Sequence, residues 1–213
     1  MLIVMETSIK IRKTPVQARS KARVEQILKA AEEMISDHGS DGLKMSAVAK
    51  RADVPIGTVY QFFPNKSALI QTLATSVMSD IRDSIDADFI GVSSLADAAD
   101  RIEISLRAYQ QFLKSNPTVR DILCSTQGDK KLQQLDLDDS RKNGETLLRH
   151  LKPLVDDSQH DQLATMCFMN THLTGALVRM TVELDDDEAE SLMNMFITNL
   201  RTDITNFTGR AEP

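Results

Sequence analysis

GLKMSAVAKRADVPIGTVYQFFPNKSAL, residues 42–69, carries apolar side chains at helical spacings: Leu43, Val48 and Ala49, then Val54, Val59 and Phe63. The series is interrupted at Asp53-Val54-Pro55, so two short helices joined by a tight turn are expected, a helix-turn-helix. Pro55 has no N–H and a preset φ, which suits the first turn of a helix, so the second helix starts near Pro55 or Ile56. Ile56, Gly57, Thr58 and Gln61 then fall on one side near its N-terminus, while Val59, Phe62 and Phe63 can pack on the other. Small and amide side chains at the start of such a helix suit close approach to base edges in the major groove. Tyr60 and Lys66 offer a hydroxyl and an ammonium at positions where phosphates could be held.

The run Gly57, Thr58, Val59, Tyr60, Phe62, Phe63, Lys66 and Leu69, preceded by Val48-Ala49 and Ala52, resembles the signature of the TetR family of transcriptional regulators. The resemblance covers about the first third of the chain and implies a DNA-binding regulator. Three positions depart from the family pattern. Lys44 stands where a capping Thr or Ser is usual, leaving Lys44 or Ser46 to supply a phosphate contact. Asp53 replaces a turn Gly, and Asp tolerates the left-handed conformation better than most residues. Pro55 replaces a common Ser, which removes a side-chain cap.

Charge divides the chain around this segment. Residues 1–72 hold 11 Lys/Arg against 7 Asp/Glu, net +4, whereas the other 141 residues hold 14 against 24, net −10. Lys10, Arg12, Lys13, Arg19, Lys21 and Arg23 follow one another with no acid among them, which beside a helix-turn-helix favours contact with a polyanion over a merely solvated arm. Thr14-Pro15-Val16-Gln17 has the form of a capping box. Val24, Ile27, Leu28, Ala31, Met34 and Ile35 then make the apolar face of a scaffold helix ending at His38-Gly39.

Downstream, Asn65 caps a longer helix whose Leu69, Leu73, Val77, Ile81 and Ile85 recur every four residues to about Asp88. Gly91-Val92-Ser93 breaks the chain, and Ser94 with Asp97 opens a helix containing Ile102, Leu106, Tyr109, Phe112 and Leu113. Asn116-Pro117 starts a short successor through Leu123. Gln127-Gly128-Asp129 reads as a loop, and Lys131 to Leu151 as a helix that Asn143-Gly144 could kink or end. From Ser158 to about Leu184, apolar residues occupy both sides of a helix, which predicts burial on both sides. The acids from Glu183 to Glu188 favour the N-terminus of a final helix, striped by Leu192, Met193, Phe196, Ile197, Leu200, Ile204 and Phe207. These last two helices could line a monomer core or pair with their copies as a four-helix bundle. Family members dimerise in the second way, and two recognition helices must stand about 34–36 Å apart to reach successive major-groove turns.

The resemblance also implies a small-molecule effector in the C-terminal region. Met78, Ile81, Tyr109, Phe112, Met166, Met169, Asn170 and His172 could line its pocket, with Arg179 a further polar residue, although each alone reads first as core. Cys124 and Cys167 are far apart and form no CxxC, and His38, His150, His160 and His172 lack metal spacing. Neither cofactor nor metal is called for, and no nucleophile elbow or phosphate loop supports an enzyme. No apolar run approaches a membrane span, and the start, Met1-Leu2-Ile3-Val4-Met5, is too short for a signal core, so a cytoplasmic protein is expected.

The expectation is an all-α chain of about nine helices. Residues 1–70 form a helix-turn-helix DNA-binding domain with a basic arm, and residues 71–213 a helical effector-binding and dimerisation domain. The function expected is that of a homodimeric repressor released from an inverted-repeat operator by a small apolar effector. DNA-contact candidates are Arg19, Arg23, Lys44, Ser46, Pro55, Ile56, Gly57, Thr58, Tyr60, Gln61 and Lys66. A regulator of the same fold controlled by a protein partner is the alternative.

Overall fold

A computed structural model describes residues 18–128 and 130–209, and within them nine α-helices and no strand. The capping box at Thr14–Gln17 and the basic residues Lys10, Arg12 and Lys13 lie outside the described residues. The helices are α1 (Ala18–His38), α2 (Met45–Arg51), α3 (Ile56–Phe62), α4 (Lys66–Phe89), α5 (Leu95–Ser115), α6 (Pro117–Cys124), α7 (Lys130–Leu151), α8 (His160–Thr181) and α9 (Asp186–Thr205). They form two compact units: residues through Asp80 with Asn116–Asp136, and Ile81–Ser115 with Leu137 onward.

The first unit has its own core. Val24, Ile27, Leu28, Ala31, Met34 and Ile35 of α1 are buried together with Val48 and Ala49 of α2, Val59 of α3, and Leu69, Ile70 and Leu73 of α4. Helix α1 stops at Gly39, whose φ of 73° is open to glycine without steric cost. There the next residue is tied to α6: the Ser40 N–H and hydroxyl both donate to the Asp121 carboxylate, at 2.5 and 2.7 Å. Helix α4 begins as expected, with the Asn65 side chain accepting from the Ala68 N–H at 2.8 Å.

In the second unit the long helices are cross-linked by charge. Arg107 of α5 reaches Glu190 and Asn194 of α9, and Arg201 of α9 returns to Asp100 and Glu103. The Asp185 side chain caps α9 by accepting from the Glu188 N–H at 3.0 Å, with Asp186, Asp187 and Glu188 in the first turn. Asn143-Gly144 does not end α7, which runs from Lys130 to Leu151. Glycine is there for proximity: a Cβ at Gly144 would lie 2.8 Å from Phe168 Cα and 2.9 Å from Phe168 N, so α7 and α8 touch backbone to backbone. Helix α8 also departs from expectation. Leu163, Cys167, Asn170, Val178 and Thr181 are buried, but Met169, Leu173 and Met180 are 44–47% exposed, so part of its apolar surface is left uncovered within a single chain.

Candidate nucleic-acid interface

The turn between α2 and α3 is closed by the backbone. The Ala52 N–H donates to Val48 O and the Val54 N–H to Ala49 O, which requires the intervening Asp53 to adopt φ 50°. Asp is one of the few side chains that accept this region, so it can stand where glycine is the easy solution. From α1, Gln26 Nε2 donates to Ala52 O at 2.6 Å and fastens the end of α2. Pro55 is the N-cap of α3, with φ −57° and ψ 139°; no side chain caps the helix, and the Thr58 N–H bonds to Pro55 O at 2.8 Å.

Helix α3 has two distinct faces. Val59 and, just beyond the helix, Phe63 are buried, and Phe62 packs against the same core. On the outside, Ile56 is 42% and Tyr60 50% exposed; Gly57 and Gln61 are also exposed, and Thr58 is half-buried. Ile56 and Tyr60 stand here beside an amide and a glycine with free space around it. The arrangement lets the backbone approach a flat polar edge while Gln61 presents both an amide NH2 that donates and a carbonyl oxygen that accepts.

The remaining candidates surround this face at varying distances. Lys44 has extended backbone before α2 and makes no side-chain cap bond, and both it and Ser46 are exposed. Arg19 and Arg23 are exposed on α1. Lys66 donates its Nζ to Asp41 O at 3.0 Å, fastening the start of α4 to the α1–α2 loop; an ammonium has three donors, so this bond does not use it up. Two neighbours passed over in the sequence are Lys50 and Arg51, at the end of α2. They border a groove of about 650 Å³ together with Met34, His38, Gly42, Lys44 and Ala47. The adjacent basic pair was the available signal.

The effector candidates differ in burial. Met78 is buried, Ile81, Tyr109, Phe112 and Met166 are half-buried, and Met169 lies on the exposed row of α8. His172 Nδ1 pairs with Ser140 Oγ at 3.0 Å, and Arg179 packs under Gly175. Asn170 is 8% exposed, and its Nδ2 has no hydrogen-bond partner. In the same unit, Asp139 is buried between Arg82 and Asn143; burial pushes its carboxyl above the ordinary range in spite of the Arg82 guanidinium. Cys167 is buried, and desolvation raises its thiol to about 12, which leaves it protonated and unreactive. Among the described residues, no group of His, Cys, Asp and Glu could hold a metal, and no helix is long and apolar enough to cross a membrane.

Comparison with known proteins agrees with this geometry. Residues 27–73 match the family described as bacterial regulatory proteins, tetR family, and residues 96–206 match the tetracyclin repressor-like C-terminal domain. An uncharacterized HTH-type transcriptional regulator of Haemophilus influenzae is 30% identical over 102 residues, which is 45% of this chain and 49% of that protein. The chain thus spans about half the length of that relative. In fold, it is similar to a TetR-family transcriptional regulator from Streptomyces coelicolor, with TM-score 0.66 and 23% identity over 88% of this chain and 98% of that one. It is also similar to the Thermus thermophilus repressor FadR, solved in complex with lauroyl-CoA, with TM-score 0.62 and 17% identity over 89% and 97%. The chain belongs to the TetR family of bacterial transcriptional regulators.

Proposed function

We propose that the protein is a homodimeric, cytoplasmic repressor that binds an inverted-repeat operator through residues 1–70 and is released by a small apolar effector bound within residues 71–213. The observation that carries the DNA reading is the outward face of α3: Ile56, Gly57, Tyr60 and Gln61 exposed on a helix anchored by buried Val59 and Phe63. Thr58 and Gln61 read base edges, while Tyr60, Lys44, Ser46, Arg19, Arg23 and Lys66 hold phosphates. The effector reading is supported by the buried Asn170, whose Nδ2 has no hydrogen-bond partner, and by the likeness to a repressor solved with lauroyl-CoA. Dimerisation is supported by the exposed Met169, Leu173 and Met180 on α8 and the 63% exposed Met195 on α9.

Release follows from α4, a single helix whose residues through Asp80 belong to the first unit and from Ile81 to the second. An effector that favours one conformation of the second unit acts on the Ile81–Phe89 part of this helix, and the two recognition helices lose their operator spacing. Paired substitutions test the assignment of roles. Tyr60→Ala is expected to weaken binding to all DNA sequences alike, whereas Gln61→Ala changes preference at one position of each half-site by about 1–3 kcal/mol. Identical effects of the two on every sequence, with both variants folded, would overturn it.

A further inference from the structure

Arg82, on the part of α4 that belongs to the second unit, is paired with the Asp139 carboxylate of α7, and Asn143 Nδ2 donates to the other carboxylate oxygen at 3.0 Å. Asp139 is 8% exposed. An amide facing an ionised carboxylate has to donate, which turns Asn143 Oδ1 away, and that oxygen is buried with no hydrogen-bond partner. Two of the effector candidates adjoin the pair. Ile81 precedes Arg82, and His172 of α8 is bonded to Ser140, which follows Asp139.

The two members of the pair differ in what each can do once separated. A guanidinium keeps its proton in a protein, so Arg82 parted from its counter-ion stays charged, at a high cost. A carboxylate can take a proton instead. Burial already pushes the Asp139 carboxyl above its ordinary range in spite of Arg82, and Lys142 of α7 is the other cation acting on it. Protonated, Asp139 needs an acceptor, and rotation of the Asn143 amide brings its unused Oδ1 there.

We infer that Arg82 anchors the head of the effector, an apolar monocarboxylate whose carboxylate replaces Asp139 as the partner of the guanidinium. This rests on the effector reading above and names its ligand class. The exchange balances in charge. The ionised ligand enters, its two oxygens accept from Arg82, and one proton from solvent goes to Asp139, so the site is neutral before and after. A cationic amine takes Asp139 and strands Arg82 without a counter-ion. A phosphate dianion exceeds the single positive charge on offer. The planar fork of the guanidinium matches a carboxylate, which leaves this class as the one that both charge and shape accept. Because Arg82 lies on α4, the exchange also frees that helix from its ionic tie to α7.

The test is calorimetric titration of the full chain with decanoate, 1-decanol and decylamine, which share one alkyl chain and differ in the head. Decanoate is expected to bind about tenfold or more tighter than 1-decanol, with decylamine weakest. Its binding takes up about one proton near neutral pH, read from the dependence of the heat on the ionisation enthalpy of the buffer, so affinity falls about tenfold for each unit that pH rises. Asp139→Asn keeps a side chain that can accept from Arg82 but cannot take the proton. That variant is expected to bind decanoate more tightly, without proton uptake and with a flat pH profile. Arg82→Gln with Asp139→Asn keeps the site neutral and loses the preference for decanoate over 1-decanol, and melting curves check that both variants are folded. Decanoate binding without proton uptake, or an unchanged pH profile in Asp139→Asn, overturns the exchange while leaving an effector site in place. Equal affinity for decanoate and 1-decanol overturns the carboxylate class in the same way. Binding of none of the three by the folded wild type overturns both this inference and the effector reading.

Discussion

Asp53 shows how one residue can decide the geometry of the DNA-facing helices. Its φ of 50° lets the chain leave α2 and begin α3 within four residues, and the hydrogen bonds of Ala52 and Val54 close around it. A side chain branched at Cβ cannot share that region. Asp53→Val is therefore expected to cost about 1–2 kcal/mol in denaturant unfolding and to lower DNA affinity with it. Asp53→Gly keeps both. Equal stability of the Val and Gly variants would show that the turn can close with a different backbone. This position was legible through the resemblance, in which Asp53 stands where the family has a turn Gly and is among the few residues that tolerate the left-handed region. The Ser40–Asp121 contact was not legible, because it joins residues 81 apart and no local pattern announces it.

Among the helices, the sequence was most reliable where a cap or a period defines the element, and least where a residue has two uses. Asn65 and Asp185 cap α4 and α9 in the way their side-chain chemistry requires. Gly144 reads locally as a helix breaker, yet it sits mid-helix because the backbone of Phe168 lies where its Cβ would be. Which of the two roles a glycine serves depends on a neighbour from elsewhere in the chain. Gly144→Ala improves helix propensity but forces α7 and α8 apart, so a net loss of about 1–3 kcal/mol is expected in thermal or denaturant unfolding. A more stable variant would mean that the two helices can separate freely at this point.

At the scale of the whole molecule, the same ambiguity decided how α8 was read. Apolar residues on both sides predict two covered sides, but periodicity cannot say whether the cover comes from the same chain. Leu163, Cys167 and Val178 are covered within the chain; Met169, Leu173 and Met180 are not. The effector candidates define no more than a helical neighbourhood, since a pocket depends on which faces converge and the sequence records faces singly. If the open row of α8 is the dimer seam, Leu173→Glu places like charges in it and yields monomers in sedimentation, with helical content retained. The monomer should then lose affinity for a two-half-site duplex far more than for a single half-site. A dimer that survives the substitution would place the seam elsewhere.

Sequence-specific DNA binding by a two-fold symmetric protein is tested most directly by exposing the purified chain to fragmented DNA of its own genome at about 0.15 M salt and sequencing what it retains. Non-specific electrostatic binding is weakened there, so specific contacts dominate retention. Retention of a few fragments that share an inverted repeat, with half-sites one helical turn or a multiple of it apart, is the expected result. Retention of every fragment equally, or of none, would contradict it.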